Sequence, residues 1–169
     1  MKRIISLFLT GAILLTFVSC ANKKVLPETL SCETILSGLK EEMEFPKAEK
    51  TYLKSENNFD AFSMSLWSDG AFKQSKEAEL IDDYAVFLSA GAEAFEVAII
   101  KFKTPNEKAV EDLLERRKTT LSSGDKGAYD PDFELRMENA VIYNDGRFGI
   151  LLITEDNSKA LKAIEKLKQ

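Results

Sequence analysis

The sequence predicts an α+β fold of two layers, in which an antiparallel sheet of about four strands packs against helices. Three patterns predict it: alternation of apolar and polar residues, apolar residues spaced three or four positions apart, and an Asp-Gly turn between apolar runs. Alternating strands bury one face, and amphipathic helices can cover that face. The predicted order is strand, strand, helix, strand, strand, helix, with an extra N-terminal helix before the first strand.

The extra helix is predicted over residues 29–43, before a polar stretch that is harder to interpret. Its apolar side chains recur at helical spacing: Cys32, Ile35, Leu36, Leu39 and Met43. We expect Cys32 to be a small buried residue rather than a reactive thiol. In the stretch that follows, the alternation from Phe62 to Leu66 and the turn at Asp69-Gly70 predict a short hairpin.

Two paired strands and a helix come next. Residues 84–89 and 95–103 are apolar runs separated by Ala-Gly-Ala, which predicts neighbouring strands. Thr104 as the N-cap, Pro105 at the first helical position and Glu107 three residues after the cap form a capping box. The side chains that this helix is predicted to turn inward are Val110, Leu113, Leu114 and Leu121.

The last part of the chain predicts a hairpin and a final helix. A half-buried strand is predicted where apolar residues alternate with charged ones, at Phe133, Leu135 and Met137. This strand continues to Tyr143, turns at Asp145-Gly146 and returns over residues 148–154, because Asp-Gly between apolar runs is a strong hairpin signal. Asp156 or Asn157 is expected to cap the last helix. Its apolar face consists of Ala160, Leu161, Ile164 and Leu167.

The first twenty residues have the pattern of a secretion signal. Met1-Lys2-Arg3 is a basic start, and the mainly apolar run from Ile4 to Val18 is 15 residues long. Spanning a bilayer as a helix takes about 20 residues, so a permanent transmembrane helix is the weaker interpretation. The run ends in Phe17-Val18-Ser19-Cys20, which resembles the lipobox of bacterial lipoproteins, with Phe17 in place of the usual aliphatic residue. The resemblance implies that Cys20 is the lipid attachment residue; an uncleaved anchor and ordinary secretion are the alternatives.

The lipobox divides the chain into a lipoprotein signal peptide at 1–19, a lipidated tether at 20–28 and a single α+β globular domain at 29–169. Two acyl chains give stable anchoring, so we expect the protein to stay at the outer face of the bacterial cell membrane, held through Cys20. Removing the signal peptide takes away two of the 23 basic residues and none of the 28 acidic ones, which leaves a net charge of −7. That acidic balance and the outside location argue against a nucleic acid partner.

Three features together resemble a family of bacterial surface lipoproteins, catalogued as domain of unknown function four-three-five-eight. They are the lipobox, the strand that follows Asp82-Asp83, and the segment Glu138-Asn139-Ala140-Val141-Ile142 that leads into a hairpin and a final helix. The resemblance covers roughly residues 28–168, and residues 51–76 depart from it. It implies a lipoprotein of bacteria with one membrane. It implies no activity and supplies no catalytic residues.

Few residues suggest chemistry. The chain has no histidine, which excludes Ser-His-Asp catalysis and zinc sites that contain histidine, and no cofactor motif is present. Asp130, Asp132 and Glu134 are spaced so that they could converge on a cation, although a solvated acidic face is the simpler interpretation. Trp67, with nearby phenylalanines, could line a groove for a sugar or peptide, although packing in the core is favoured.

The sequence therefore predicts a binding module rather than an enzyme. We expect a membrane-anchored extracytoplasmic lipoprotein that binds an envelope protein or another cell-envelope component, with no catalytic residues, metal or cofactor. One alternative is a small cell-envelope hydrolase that uses carboxylates near Asp130 and Asp132. Another is a receptor for a small ligand. The weak candidate surface is formed by Asp130, Asp132, Glu134 and Trp67.

Overall fold

The computed structural model describes residues 24–47, 49–56, 76–91, 93–122 and 130–168. The strands are β1 (Glu49–Leu53), β2 (Ile81–Ser89), β3 (Glu96–Phe102), β4 (Val141–Asn144) and β5 (Phe148–Ile153). The helices are α1 (Cys32–Glu42), α2 (Lys76–Leu80), α3 (Glu107–Ser122), α4 (Phe133–Glu138) and α5 (Asn157–Leu167), with a short 3-10 turn at Lys54–Glu56. Within these ranges no helix is both long and apolar enough to cross a bilayer.

The strands form one antiparallel sheet in the order β1-β2-β3-β5-β4, which confirms the predicted α+β class. The sheet has five strands where about four were predicted, because β1 was not predicted. Its first residues, Glu49 and Lys50, are exposed, and the strand has no clean alternation of apolar and polar residues. Pairing with β2 rather than local pattern holds it in the sheet.

Helices cover both faces of the sheet, which gives one layer more than the two that were predicted. Along β3, Val97 and Ile99 belong to the core beneath α1 and α5, whereas Ala98 and Ile100 belong to the core beneath α3 and α4. The strands β2, β3 and β5 are therefore buried on both sides and consist of nearly continuous apolar runs.

Helix α1 forms where the sequence predicts it. The Ser31 side chain caps it by accepting a hydrogen bond from the Thr34 amide at 3.0 Å. Cys32 is fully buried, as expected, and its amide donates to the Asp83 carboxylate at 2.8 Å. Burial raises the pKa of the Cys32 thiol well above its ordinary value, and the adjacent Asp83 carboxylate raises it further.

Helix α3 begins later than predicted and buries an ion pair. The predicted N-cap, Thr104, is wrong: the Asn106 side chain accepts from the Ala109 amide at 3.0 Å. The backbone N–H of Asn106 is fixed by a hydrogen bond to the Gly146 carbonyl at 2.7 Å, which places it at the helix start. Further along the helix, Arg117 is buried with Glu96 of β3, at 2.5 Å between Nη2 and Oε2. Sequence pattern did not predict this pair.

The strand predicted around Phe133, Leu135 and Met137 is wrong, because α4 is a short helix. Phe133 and Met137 are four residues apart, so they lie on one face of a helix as well as on one face of a strand. Both are buried against α3 and the sheet, and Leu135 points away with 58% of its surface exposed. The preceding turn sets this conformation, because the Asp130 side chain accepts from the Asp132 amide at 3.0 Å.

The predicted β4–β5 hairpin forms, and its turn holds the first described residues of the chain. Asp145 is the centre of the turn: its carboxylate accepts from the amides of Leu26, Arg147 and Phe148 at 2.7–3.1 Å and from the Tyr143 hydroxyl at 2.8 Å. The next residue, Gly146, has a φ of 88°, which favours glycine. The predicted last helix also forms as α5, capped by Asp156.

Candidate functional site

An open groove of about 570 Å³ lies at the end of the β4–β5 hairpin that is opposite the turn. Helix α4 forms one wall, and the first turns of α5 form the other. The beginning of β4 and the residues that follow β5 lie between the two walls. The groove therefore sits where helices from the two faces of the sheet meet at its edge.

The apolar part of the groove consists of Leu135 on α4, Val141 on β4 and Leu161 on α5. Val141 and Leu161 are partly buried. Leu135 is 58% exposed, and among the described residues only Val25 is another large apolar side chain with comparable exposure. A single exposed apolar side chain is common on protein surfaces, so it is the position of Leu135 inside a groove with a polar rim that favours a binding surface.

The rim of the groove is mainly acidic. It carries the carboxylates of Asp132, Glu155 and Asp156 and the guanidinium of Arg136. Arg136 lies 3.8 Å from Asp130 and 3.6 Å from Glu155, so its charge is shared between two carboxylates. With three carboxylates and one cation at the rim, the groove attracts positive groups.

Hydrogen bonds between helix ends fix the back of the groove. The Asn157 carboxamide oxygen accepts from the Thr154 hydroxyl at 2.7 Å and from the Thr154 amide at 3.1 Å. Its Nδ2 donates to the Asn139 carbonyl at 2.6 Å, at the C-terminal end of α4. Asn157 thereby ties α4 to α5, so both walls are held in place without a ligand.

The structure does not bring the three predicted carboxylates together. Asp130 is 5% exposed, and its Oδ2 accepts from the Ala94 amide at 2.7 Å, so it joins α4 to the β2–β3 turn. Asp132 is exposed at the groove, and Glu134 is exposed on α4 without lining the groove. Within the described ranges no three aspartate, glutamate or cysteine side chains are grouped so that they could hold a metal ion.

Other predicted residues lie outside the part of the chain that the structure describes. They are Cys20, Trp67 and the hairpin predicted from Phe62 to Leu66. Leu135, Arg136 and Glu155 line the groove but were not predicted from the sequence as site residues. The spacing of four between Phe133 and Met137 fits a helix and a strand alike, so the signal that could have placed Leu135 outside is Pro131-Asp132 just before them, which is typical of a helix start.

No family model matches the chain, and no curated protein and no solved structure is significantly similar to it.

Proposed function

We propose that this protein is a membrane-anchored extracytoplasmic lipoprotein whose α+β domain is a non-enzymatic binding module for an envelope protein. The observation that carries the proposal is Leu135, a leucine exposed in a groove whose walls are already fixed by hydrogen bonds. Leu135 is 58% exposed, so its complete burial by a partner contributes about 1–2 kcal/mol to binding. The lipobox that ends at Cys20, and the family resemblance, support the anchored location.

The path of the chain supports a groove that faces away from the membrane. The first described residues lie at the turn of the β4–β5 hairpin, where Glu28 pairs with Arg147 at 2.7 Å. The groove lies at the other end of the hairpin, about 20 Å away for a strand of this length. A tether that enters at the turn leaves the groove open to a protein partner rather than pressed against lipid.

The anchor is tested by labelling cells with an alkyne analogue of palmitate. We expect label on the wild type and on Cys32→Ala, which removes the buried thiol, and no label on Cys20→Ala. Cys32→Ala is the matched control because it also removes one of the two cysteines. Label that remains on Cys20→Ala would contradict the anchoring.

The groove is tested by chemical crosslinking of the tagged protein in intact cells. We expect one partner to be recovered with the wild type, to be lost with Leu135→Glu and to be kept with Val25→Glu. Val25 is the matched control because it is the other large apolar residue that is exposed within the described ranges, and it precedes Leu26, which bonds to Asp145 at the opposite end of the hairpin. A partner that is recovered equally with both variants would contradict binding at the groove.

A further inference from the structure

The outer strand β4 presents unpaired backbone groups beside the groove. Along an antiparallel strand, the backbone N–H and C=O of every second residue bond to a given neighbouring strand. The backbone groups of the residues in between point to the other side of the strand. The Asp145 amide donates to the Phe148 carbonyl at 3.2 Å, so this pair is hydrogen-bonded. Two residues along the same register, Tyr143 of β4 and Ile150 of β5 form the next hydrogen-bonded pair. The backbone groups of Ile142 and Asn144 must therefore point away from the sheet.

Nothing in the described part of the chain pairs with these outward groups. Edge strands are usually protected by being very short, by charged side chains, by proline or by a cover. Both outer strands are short, with four residues in β4 and five in β1, so charge and proline are what distinguish them. Strand β4 has the sequence Val-Ile-Tyr-Asn, which has neither charge nor proline. The other outer strand, β1, begins with the exposed charged residues Glu49 and Lys50. The two edges differ, and β4 is the one suited to accept another strand.

The groove begins at Val141, the first residue of β4, so a strand added along this edge would continue into the groove. Side chains of a strand point alternately to the two faces of a sheet. Leu135 stands on the α4 side of the sheet and Leu161 on the α5 side, and both line the groove. Alternate side chains of an added strand would thus contact one leucine on each face.

The charge of the rim indicates which strand fits. Asp132, Glu155 and Asp156 would lie beside the added chain, and they favour lysine or arginine. A second copy of this chain is disfavoured, because without the signal peptide it has a net charge of −7 and would bring the same carboxylates to the contact. We propose that β4 accepts an extended segment of a partner protein, apolar and basic in composition, as a sixth strand of the sheet. This inference rests on the proposed function and specifies how the groove binds.

The test uses the full-length chain in detergent and a short peptide of alternating valine and threonine with a lysine at each end. Binding should slow hydrogen exchange of the Ile142 and Asn144 amides. A peptide with glutamate in place of both lysines should bind about threefold more weakly for each charge changed. Unchanged exchange at these two amides, no binding, or equal binding of the glutamate peptide would overturn the proposal.

Two variants separate backbone pairing from side-chain contact. Ile142→Pro removes the outward N–H and should weaken peptide binding about tenfold, because one backbone hydrogen bond is lost and its acceptor is left unpaired. Ile142→Ala shortens the same side chain but keeps the N–H, so its binding should change by less than about threefold. Equal weakening by both variants would overturn strand addition.

A measurement on the peptide side guards against a folding defect in the proline variant. Methylation of alternate backbone nitrogens of the lysine peptide blocks strand pairing without changing the protein, and it should abolish binding. In cells, loss of the crosslinked partner with Leu135→Glu but not with Ile142→Pro would overturn strand addition and leave the groove function standing. Retention of the partner with both variants would contradict the groove function itself. A dimer formed through two β4 strands would overturn the peptide partner, because the added strand would then come from a second copy of this chain.

Discussion

The two ends of the β4–β5 hairpin are built from the same two strands but in opposite ways. At the turn, one carboxylate, that of Asp145, accepts four hydrogen bonds and holds the beginning of the domain. At the other end, Leu135 is exposed and carboxylates face solvent, although Asn157 fixes the surrounding helices. One end uses its polar groups for stability, whereas the other leaves its polar and apolar groups exposed to solvent.

Among the substitutions that test this comparison, the one at the turn should lower the free energy of unfolding most. Asp145→Ala leaves the amides of Leu26, Arg147 and Phe148 without their acceptor, so the free energy of unfolding should fall by about 3 kcal/mol. Asp132→Ala, at the groove end, should change it by less than about 0.5 kcal/mol. Urea unfolding of both variants measures this difference, and equal losses would remove the contrast between the two ends.

The middle of the hairpin should respond less than the turn. A Cβ at Gly149 would lie 2.5 Å from Val110 Cγ1 and 2.9 Å from Leu114 Cδ1, so Gly149→Ala should cost about 1–3 kcal/mol through overpacking of α3 on β5. Gly38→Ala is the matched control, because a Cβ there meets nothing within 4 Å and alanine favours a helix. We expect the control to be neutral or stabilising in the same urea series; a destabilised control or a neutral Gly149→Ala would contradict the close packing.

The Tyr143 hydroxyl at the turn should make the stability of the fold depend on pH. Burial raises the pKa of its hydroxyl above the ordinary value, and the hydrogen bond to Asp145 raises it further. The unfolded chain releases this proton near pH 10 whereas the folded chain keeps it, so stability is complete below about pH 10 and declines above it. Tyr143→Phe should reduce that decline. Unfolding between pH 8 and 11 measures it, and parallel curves for variant and wild type would show that Tyr143 does not contribute.

The smallest effect on stability is expected at the groove. Leu135→Ala should change the free energy of unfolding by less than about 0.5 kcal/mol, because the side chain is exposed. Met137→Ala, two residues further along α4, removes a buried side chain and should cost about 2–3 kcal/mol. In the crosslinking assay we expect the reverse order, because Leu135→Ala should reduce partner recovery more than Met137→Ala does. A large loss of stability in Leu135→Ala would show that this leucine supports the fold.

Local sequence pattern correctly predicted the elements whose patterns fit only one type of secondary structure. The Asp-Gly turn fixed the β4–β5 hairpin, and the apolar stripe from Cys32 to Leu39 fixed α1. Two elements failed for physical reasons. Apolar residues at Phe133 and Met137 fit both a helix and a strand, and β1 depends on pairing with the distant strand β2.

The groove was harder to predict, because its residues come from separate parts of the chain. Asp132 was selected as a candidate and lies on the rim, but Asp130 serves the fold and Leu135 was expected to be buried. The pair of Glu96 and Arg117 depends on a contact between β3 and α3 that spacing does not encode. The lipid at Cys20, the role of Trp67 and the family resemblance stay predictions.

The most direct test of the account compares a photocrosslinking amino acid at position 135 with the same amino acid at position 25, in full-length protein in intact cells. The account predicts a discrete protein adduct from position 135 that disappears with Ile142→Pro, and no such adduct from position 25. An adduct from position 25 with none from position 135 would contradict it, because the binding surface would then lie at the tether end of the domain.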